Sequence, residues 1–299
     1  MELFPASRSE TIAILISAVT FSAVPGLAER DPLTGRTAVT YNQVMRVKIL
    51  GCSGNLVGRH RTTSFLLDDS FLLDAGTVTE AIGRRGLRKI RHILISHTHM
   101  DHVKGLFPLV DELVMMGDYS VELVSVAPVL DIITNNLLNN LIWPDFTVVP
   151  SVSNAVIRLN EVPLERPSVL DRVSVTPVLM THTVYTVGFV IRQDDGRGFM
   201  FTADTGPTKR FWEVAEGEKD IRFIIADVSF PNRLANLARL SGHMTPSMLM
   251  ESIDAHELGD RLFYVSHMKP VFAREIVAEV ERSGRKNIRF LRQSEILTL

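Results

Sequence analysis

Ser96-His97-Thr98-His99-Met100-Asp101-His102 decides how this chain is read. It sets four good metal donors, His97, His99, Asp101 and His102, within six residues, directly after the apolar run Ile93-Leu94-Ile95. A surface segment has no need of so many imidazoles, and a core could not bury them unpartnered. Imidazole and carboxylate together at the mouth of a strand point to a metal centre, and that donor type points to hydrolysis.

Three later residues repeat the placement. His182 follows Val178-Leu179-Met180-Thr181, Asp204 follows Phe199-Met200-Phe201-Thr202-Ala203, and His267 follows Phe263-Tyr264-Val265-Ser266. Each stands just beyond the C-terminal end of an apolar, β-rich run. Strands sharing one direction would carry those ends to a common rim, where residues distant in sequence converge. Taken alone, His182 or His267 reads as a hydrogen-bonded strand-end histidine. Asp204, ahead of Thr205-Gly206-Pro207, reads as a turn or cap residue. Taken with the cluster at 97–102, all three read as ligands. The donors suit Zn²⁺, with Mn²⁺ and Fe²⁺ as alternatives. Cys52 is the one cysteine, so neither a disulfide within the chain nor a cysteine-rich zinc site can form. His60, His92 and His256 lack comparable surroundings and read as ordinary histidines.

The bulk numbers fit such a protein. With 299 residues, 45% of them hydrophobic, there is material for one large core or two small ones. A net charge of −2 advertises no stable nucleic-acid partner. From residue 45 onward, strands are expected at Arg46–Leu50, Ser64–Leu67, Phe71–Leu73, Ile90–Ile95 and Val121–Val126. A second group follows at Val173–Leu179, Tyr185–Ile191, Gly198–Thr202, Ile221–Ala226 and Leu262–Val265. Helices are expected at Val103–Met116, Val129–Ile142, Thr245–Ala255 and Phe272–Glu281, with a short one from Thr77 toward Ile82. Strands then helix, twice over, predict two stacked sheets with helices outside. That is a four-layer α/β arrangement, an αββα sandwich, in a single domain over 45–299.

Residues 1–44 read as an N-terminal extension. Thr11–Val24 has the length of a signal-peptide core, and Gly26-Leu27-Ala28 resembles a cleavage site, but Glu2, Arg8 and Glu10 stand where a basic flank belongs. The run is short for a membrane span, so no membrane anchor is expected. The balance favours the cytoplasm, with export as the alternative if residues 1–28 act as a signal.

His97-Thr98-His99-Met100-Asp101-His102, followed by His182, Asp204 and His267, resembles the metallo-β-lactamase-fold superfamily of dinuclear metal hydrolases. Asp74-Ala75-Gly76 is similar to the Asp-x-Gly turn that precedes the metal motif there. The resemblance implies two divalent ions. His97, His99 and His182 would hold one, Asp101, His102 and His267 the other, with Asp204 between them. True β-lactamases lack that bridging carboxylate, so lactam hydrolysis is not expected. Asp101 would also orient the attacking hydroxide.

Ser241-Gly242-His243-Met244-Thr245-Pro246 supplies the next expectation. Thr245 as N-cap with Pro246 behind it is an ordinary helix start. The cap leaves His243 unexplained. In phosphodiesterases of this superfamily, including transfer-RNA 3′-processing endonucleases, a histidine in a similar His-x-Thr segment precedes the last ligand, which implies a proton donor at His243. Asn140-Leu141-Ile142-Trp143-Pro144-Asp145-Phe146, Val228-Ser229-Phe230-Pro231-Asn232 and His267-Met268-Lys269-Pro270 further resemble the class II cyclic-nucleotide phosphodiesterases. The likeness runs from about Arg46 to near the C-terminus. It implies hydrolysis of a 3′,5′-cyclic nucleotide to the 5′-monophosphate. Trp143, Thr245 and Lys269 become candidate substrate contacts, Trp143 either as a base-stacking wall or as a loop anchor. A homodimer is compatible with the sequence. The competing activities on the same ligands are a transfer-RNA-processing endoribonuclease and thioester or lactone hydrolysis.

Overall fold

In this computed structural model the described residues are 44–117 and 119–299. The extension over 1–44, with its signal-like run, therefore lies outside the described residues except for Val44.

Two seven-stranded sheets carry the fold. The first holds β1 (Arg46–Gly51), β2 (Ser64–Leu67), β3 (Phe71–Leu73), β4 (His92–Leu94), β5 (Val121–Ser125), β6 (Ile157–Glu161) and, paired with β1, β14 (Ile296–Thr298). The second holds β7 (Ser168–Leu170), β8 (Val173–Leu179), β9 (Val187–Gln193), β10 (Gly198–Phe201), β11 (Ile221–Asp227), β12 (Phe263–Ser266) and β13 (Ile288–Phe290), side by side in that order. Strands β3 to β6 pair in parallel, as do β10 to β13; the remaining ladders are antiparallel.

The sequence of the second sheet shows why it is covered on both sides. Along β10 and β11, Phe199, Phe201, Phe223 and Ile225 join one apolar cluster, while Met200, Ile224 and Ala226 join another. Alternate side chains leave opposite faces of a strand, so a continuous apolar run requires two apolar neighbours. The first cluster fills the space against the first sheet, where Phe65 meets Phe201 edge to face at 5.4 Å. The second cluster takes in Trp212 from α5 (Arg210–Gly217), Leu249 from α7 (Pro246–Ala255) and Ile276 from α8 (Ala273–Arg282). Across the first sheet, α3 (Leu106–Met115) and α4 (Ala127–Asn136) contribute Leu109 and Ile133. Helix, sheet, sheet, helix is the expected four-layer order. Three shorter helices complete the set described: α1 (Arg84–Leu87), α2 (Met100–Val103) and α6 (Ala235–Leu240). Among the described residues no helix is long and apolar enough to cross a membrane.

The departures from expectation are local. The single helix expected over Val103–Met116 is two, α2 and α3, parted at Gly105. Pro108 falls in the first turn of α3, where its missing N–H is not needed. The helix expected to reach Ile142 stops at Asn136, and the Asn139 carboxamide oxygen then accepts from the N–H groups of Leu141 and Ile142. Asparagine offers the backbone such an alternative to helix. The short helix expected between Thr77 and Ile82 forms instead at Arg84–Leu87.

Candidate metal centre

Topology gathers the donors. Strand β9 runs antiparallel to both β8 and β10, so those two point the same way, and β11 and β12 continue in parallel. Their C-terminal ends therefore share a rim, from which His182, Asp204, Asp227 and His267 emerge. In the first sheet β4 ends at Leu94, and the chain turns through Ser96 and His97 into α2, whose first turn carries Asp101 and His102. Asp74, Ala203 and His267 occupy left-handed backbone, with φ of 55°, 54° and 63°. Such conformations are costly for residues with a Cβ and gather at functional sites.

The side chains form two groups that share Asp204. In one, His182 Nε2 is 3.1 Å from His99 Nδ1, and Asp204 Oδ2 lies 3.7 Å from His97 Nε2 and 4.0 Å from His182 Nε2. In the other, His267 Nε2 lies 3.2 Å from Asp101 Oδ2, 3.3 Å from His102 Nε2 and 3.3 Å from Asp204 Oδ2, with Asp204 Oδ1 3.3 Å from His102 Nε2. One donor atom from each member of His97, His99, His182 and Asp204 falls within 4.8 Å of the rest, and the same holds for Asp101, His102, Asp204 and His267.

Outer partners fix which nitrogen faces inward. Asp74 Oδ2 accepts from His102 Nδ1 at 2.7 Å, and Asp74 also accepts from the backbone and hydroxyl of Ser96. Ser96 Oγ in turn accepts from His97 Nδ1 at 2.9 Å. The Gly242 carbonyl accepts from His182 Nδ1 at 2.7 Å, and Ser229 Oγ accepts from His267 Nδ1 at 2.8 Å. A histidine that gives its outer N–H to such a partner presents its other lone pair to a metal. His97 shows the consequence: its Nε2 is buried and has no hydrogen-bond partner. A lone pair buried without a donor is costly and rare, so a cation is the group this atom fits.

For His97, His99 and His182 the electrostatics agree with that assignment. Burial, reinforced by the positive charge of His102, holds His97 well below the usual imidazole range, and burial also lowers His99 and His182. Those three are neutral, the ligating form. Burial opposes charge on His102 as well, but Asp204 and Asp74 outweigh it and raise that imidazole. Asp101 and Asp204 resist burial through the surrounding histidines, which keep both carboxyls ionised.

His243 stands on the same rim, its ring 5.1 Å from that of His182 and stacked 5.2 Å from that of His267. Its Nδ1 donates to Asp227 Oδ2 at 2.8 Å. Burial works against its charged form, but Asp227, by charge and by hydrogen bond, then Asp204, raise it overall. Asp227 and Ser229, whose hydroxyl donates to Asp227 Oδ1 at 2.6 Å, were not among the residues picked from the sequence. The available signal was position, since Asp227 ends β11 as the other donors end or follow their strands.

The three candidate substrate contacts fare differently. Thr245 is buried, and its hydroxyl caps α7 by accepting from Met248 N–H at 3.5 Å. Trp143 packs on the first apolar cluster, its ring 5.4 Å from that of Phe107, which is the loop-anchor arrangement. Lys269 donates to the Gly54 carbonyl at 2.8 Å and lines an open pocket with Phe230 and Phe272. Cys52 packs against the first apolar cluster, with burial, then Glu295, pushing its thiol up to about 12. Of the remaining histidines, His92 joins Glu122 to Asp171, both at 3.1 Å, and His256 pairs with Glu216.

Comparison with known proteins meets this geometry. Residues 68–268 match the beta-lactamase superfamily domain, and the chain belongs to that family as a hydrolase of the metallo-β-lactamase fold. It is 25% identical to a probable 3′,5′-cyclic-nucleotide phosphodiesterase of Yersinia pestis, across 82% of this chain and 86% of that protein. It is 22% identical to ribonuclease Z of Archaeoglobus fulgidus, across 78% of this chain and 90% of that protein. The crystal structure of unliganded yeast PDE1 superposes with a TM-score of 0.73 at 16% identity, covering 86% of this chain and 99% of that one, which establishes likeness of fold.

Proposed function

We propose that the chain is a phosphodiesterase that opens a 3′,5′-cyclic nucleotide, cyclic AMP or cyclic GMP, at its 3′ ester to give the 5′-monophosphate. His97, His99 and His182 would hold one divalent ion, Asp101, His102 and His267 a second, and Asp204 both; zinc is the ion this donor set suits best. Bound there, two ions supply a Lewis-acid clamp for phosphoryl oxygens and a nucleophile at neutral pH.

The observation that carries the substrate class is the buried pair of His243 and Asp227 beside those donors. A departing 3′ alkoxide is a poor leaving group and needs a proton. Asp227 fixes the proton on His243 Nδ1, which leaves Nε2 to deliver a second proton to the leaving oxygen. Asp101, partly exposed where the other acidic donor is buried, would take the proton of the attacking water. The similarity to a protein named as a cyclic-nucleotide phosphodiesterase supports the same substrate.

The likeness to ribonuclease Z supports a second reading, an endoribonuclease of the transfer-RNA-processing type using the same residues. A substrate panel decides. Cyclic AMP, cyclic GMP, a 2′,3′-cyclic nucleotide, precursor transfer RNA and a lactone are compared at equal enzyme. Release of 5′-monophosphate from a 3′,5′-cyclic nucleotide should dominate; preference for the transfer RNA or the lactone overturns the proposal.

A further inference from the structure

We propose that the pocket on the His267 flank of the donor cluster seats the planar base of a nucleoside phosphate, with Lys269 at the border between base and phosphate. This rests on the cyclic-nucleotide reading above. The pocket has a volume of about 460 Å³ and is lined by Val57, His60, Phe230, Lys269, Val271 and Phe272. That size is usual for a small-molecule site and mostly apolar walls with a few polar groups are its usual chemistry.

Continuity with the reacting centre is direct. Phe230 lies edge to face with His243 at 5.8 Å and 6.0 Å from Phe272, so aromatic wall runs outward from the proton donor. Lys269 follows His267 by two residues. Phe272 is held before any ligand arrives: the Arg233 guanidinium lies 5.5 Å from its centroid, and Arg233 is fixed by Glu275 at 2.9 Å. A wall already in place costs a ligand less to organise.

The opposite lip is the 54–60 loop. Gly54 N–H donates to the Met268 carbonyl at 3.1 Å, and a Cβ on Gly54 would stand 2.8 Å from His267 Nδ1, so only glycine lets the loop lie this close. Farther out, His60 N–H closes a turn onto the Val57 carbonyl at 3.0 Å. Val57 and Val271, from the two lips, are 55% and 81% exposed. Two aliphatic side chains and two phenylalanines lining one pocket suit a flat apolar ring. The pocket offers one lysine, whereas a groove that tracks a polynucleotide backbone needs a row of cations.

The test uses metal-loaded protein and three substitutions, Val57→Asp, Val271→Asp and Phe272→Ala. The two valines are exposed, so their replacement leaves folding intact. Turnover is measured on cyclic AMP and on base-free ribose 3′,5′-cyclic phosphate, and AMP binding by calorimetry. Each substitution should raise KM for cyclic AMP and Kd for AMP about tenfold, the size of one lost stacking contact, and leave the base-free substrate unchanged. Unchanged KM and Kd, or an equal loss on the base-free substrate, overturns the pocket assignment while cyclic-nucleotide hydrolysis stands. Wild-type protein that hydrolyses no cyclic nucleotide overturns both.

Discussion

His243 separates the roles that adjacent histidines play. It shares burial and neighbours with the proposed ligands, yet its Nδ1 is spent on Asp227, and the Gly242 carbonyl before it is spent on His182. His243→Ala should lower kcat about 10²–10⁴-fold, most on poor leaving groups, with metal content by plasma emission unchanged. Loss of metal in that variant would make His243 a ligand. Asp227→Asn keeps the shape but removes the charge, so it should lower kcat with KM held, and less on a p-nitrophenyl ester than on cyclic AMP. His97→Ala should instead empty part of the site, because the orphaned Nε2 has no other employment. Residue types and spacing picked out from the sequence seven side chains that the fold gathers at one rim. Asp227 and Ser229 were not, because a partner that touches a ligand from another strand leaves no local spacing to read.

At the scale of elements, legibility followed burial. Strands buried on both faces, such as β10 and β11, were placed within a residue or two. The omitted strands were β6, with exposed Arg158 and Leu159, and the three-residue β7, β13 and β14, too short to show a period; the helices α5 and α6 were omitted as well. The start of α7 was legible because Thr-Pro is a cap signal. Thr245→Ala should therefore destabilise by about 1 kcal/mol in urea denaturation, with KM unchanged, and Thr245→Ser should restore the stability. A rise in KM in Thr245→Ser would support Thr245 as a substrate contact. The turn before α7 is more demanding. Gly242 has φ of +67°, and a Cβ there would stand 2.7 Å from His182 Nδ1. Gly242→Ala should cost about 1 kcal/mol or more from the backbone alone. It should also weaken metal retention, since it displaces a ligand's anchor; a variant with full stability and full metal would contradict both contacts.

For the whole molecule, the donors come from both layers. His97, His99, Asp101 and His102 follow a strand of the first sheet; His182, Asp204 and His267 follow strands of the second. Ions bound among them would tie the two sheets together at one rim. Without ions His97 Nε2 has no partner, and several imidazoles crowd around the buried Asp204 carboxylate. A ligand that binds only the folded state stabilises by mass action, about 4 kcal/mol at a thousandfold excess over its Kd. For a chain of this size each kcal/mol moves Tm by about 2–4 °C, so chelation should lower Tm by about 8 °C or more. Calorimetric scans before and after EDTA, then with zinc restored, measure it. His97→Ala should respond less to the chelator than the wild type does. Complete removal of metal with no change in Tm would mean that the two sheets hold this rim together without the ions.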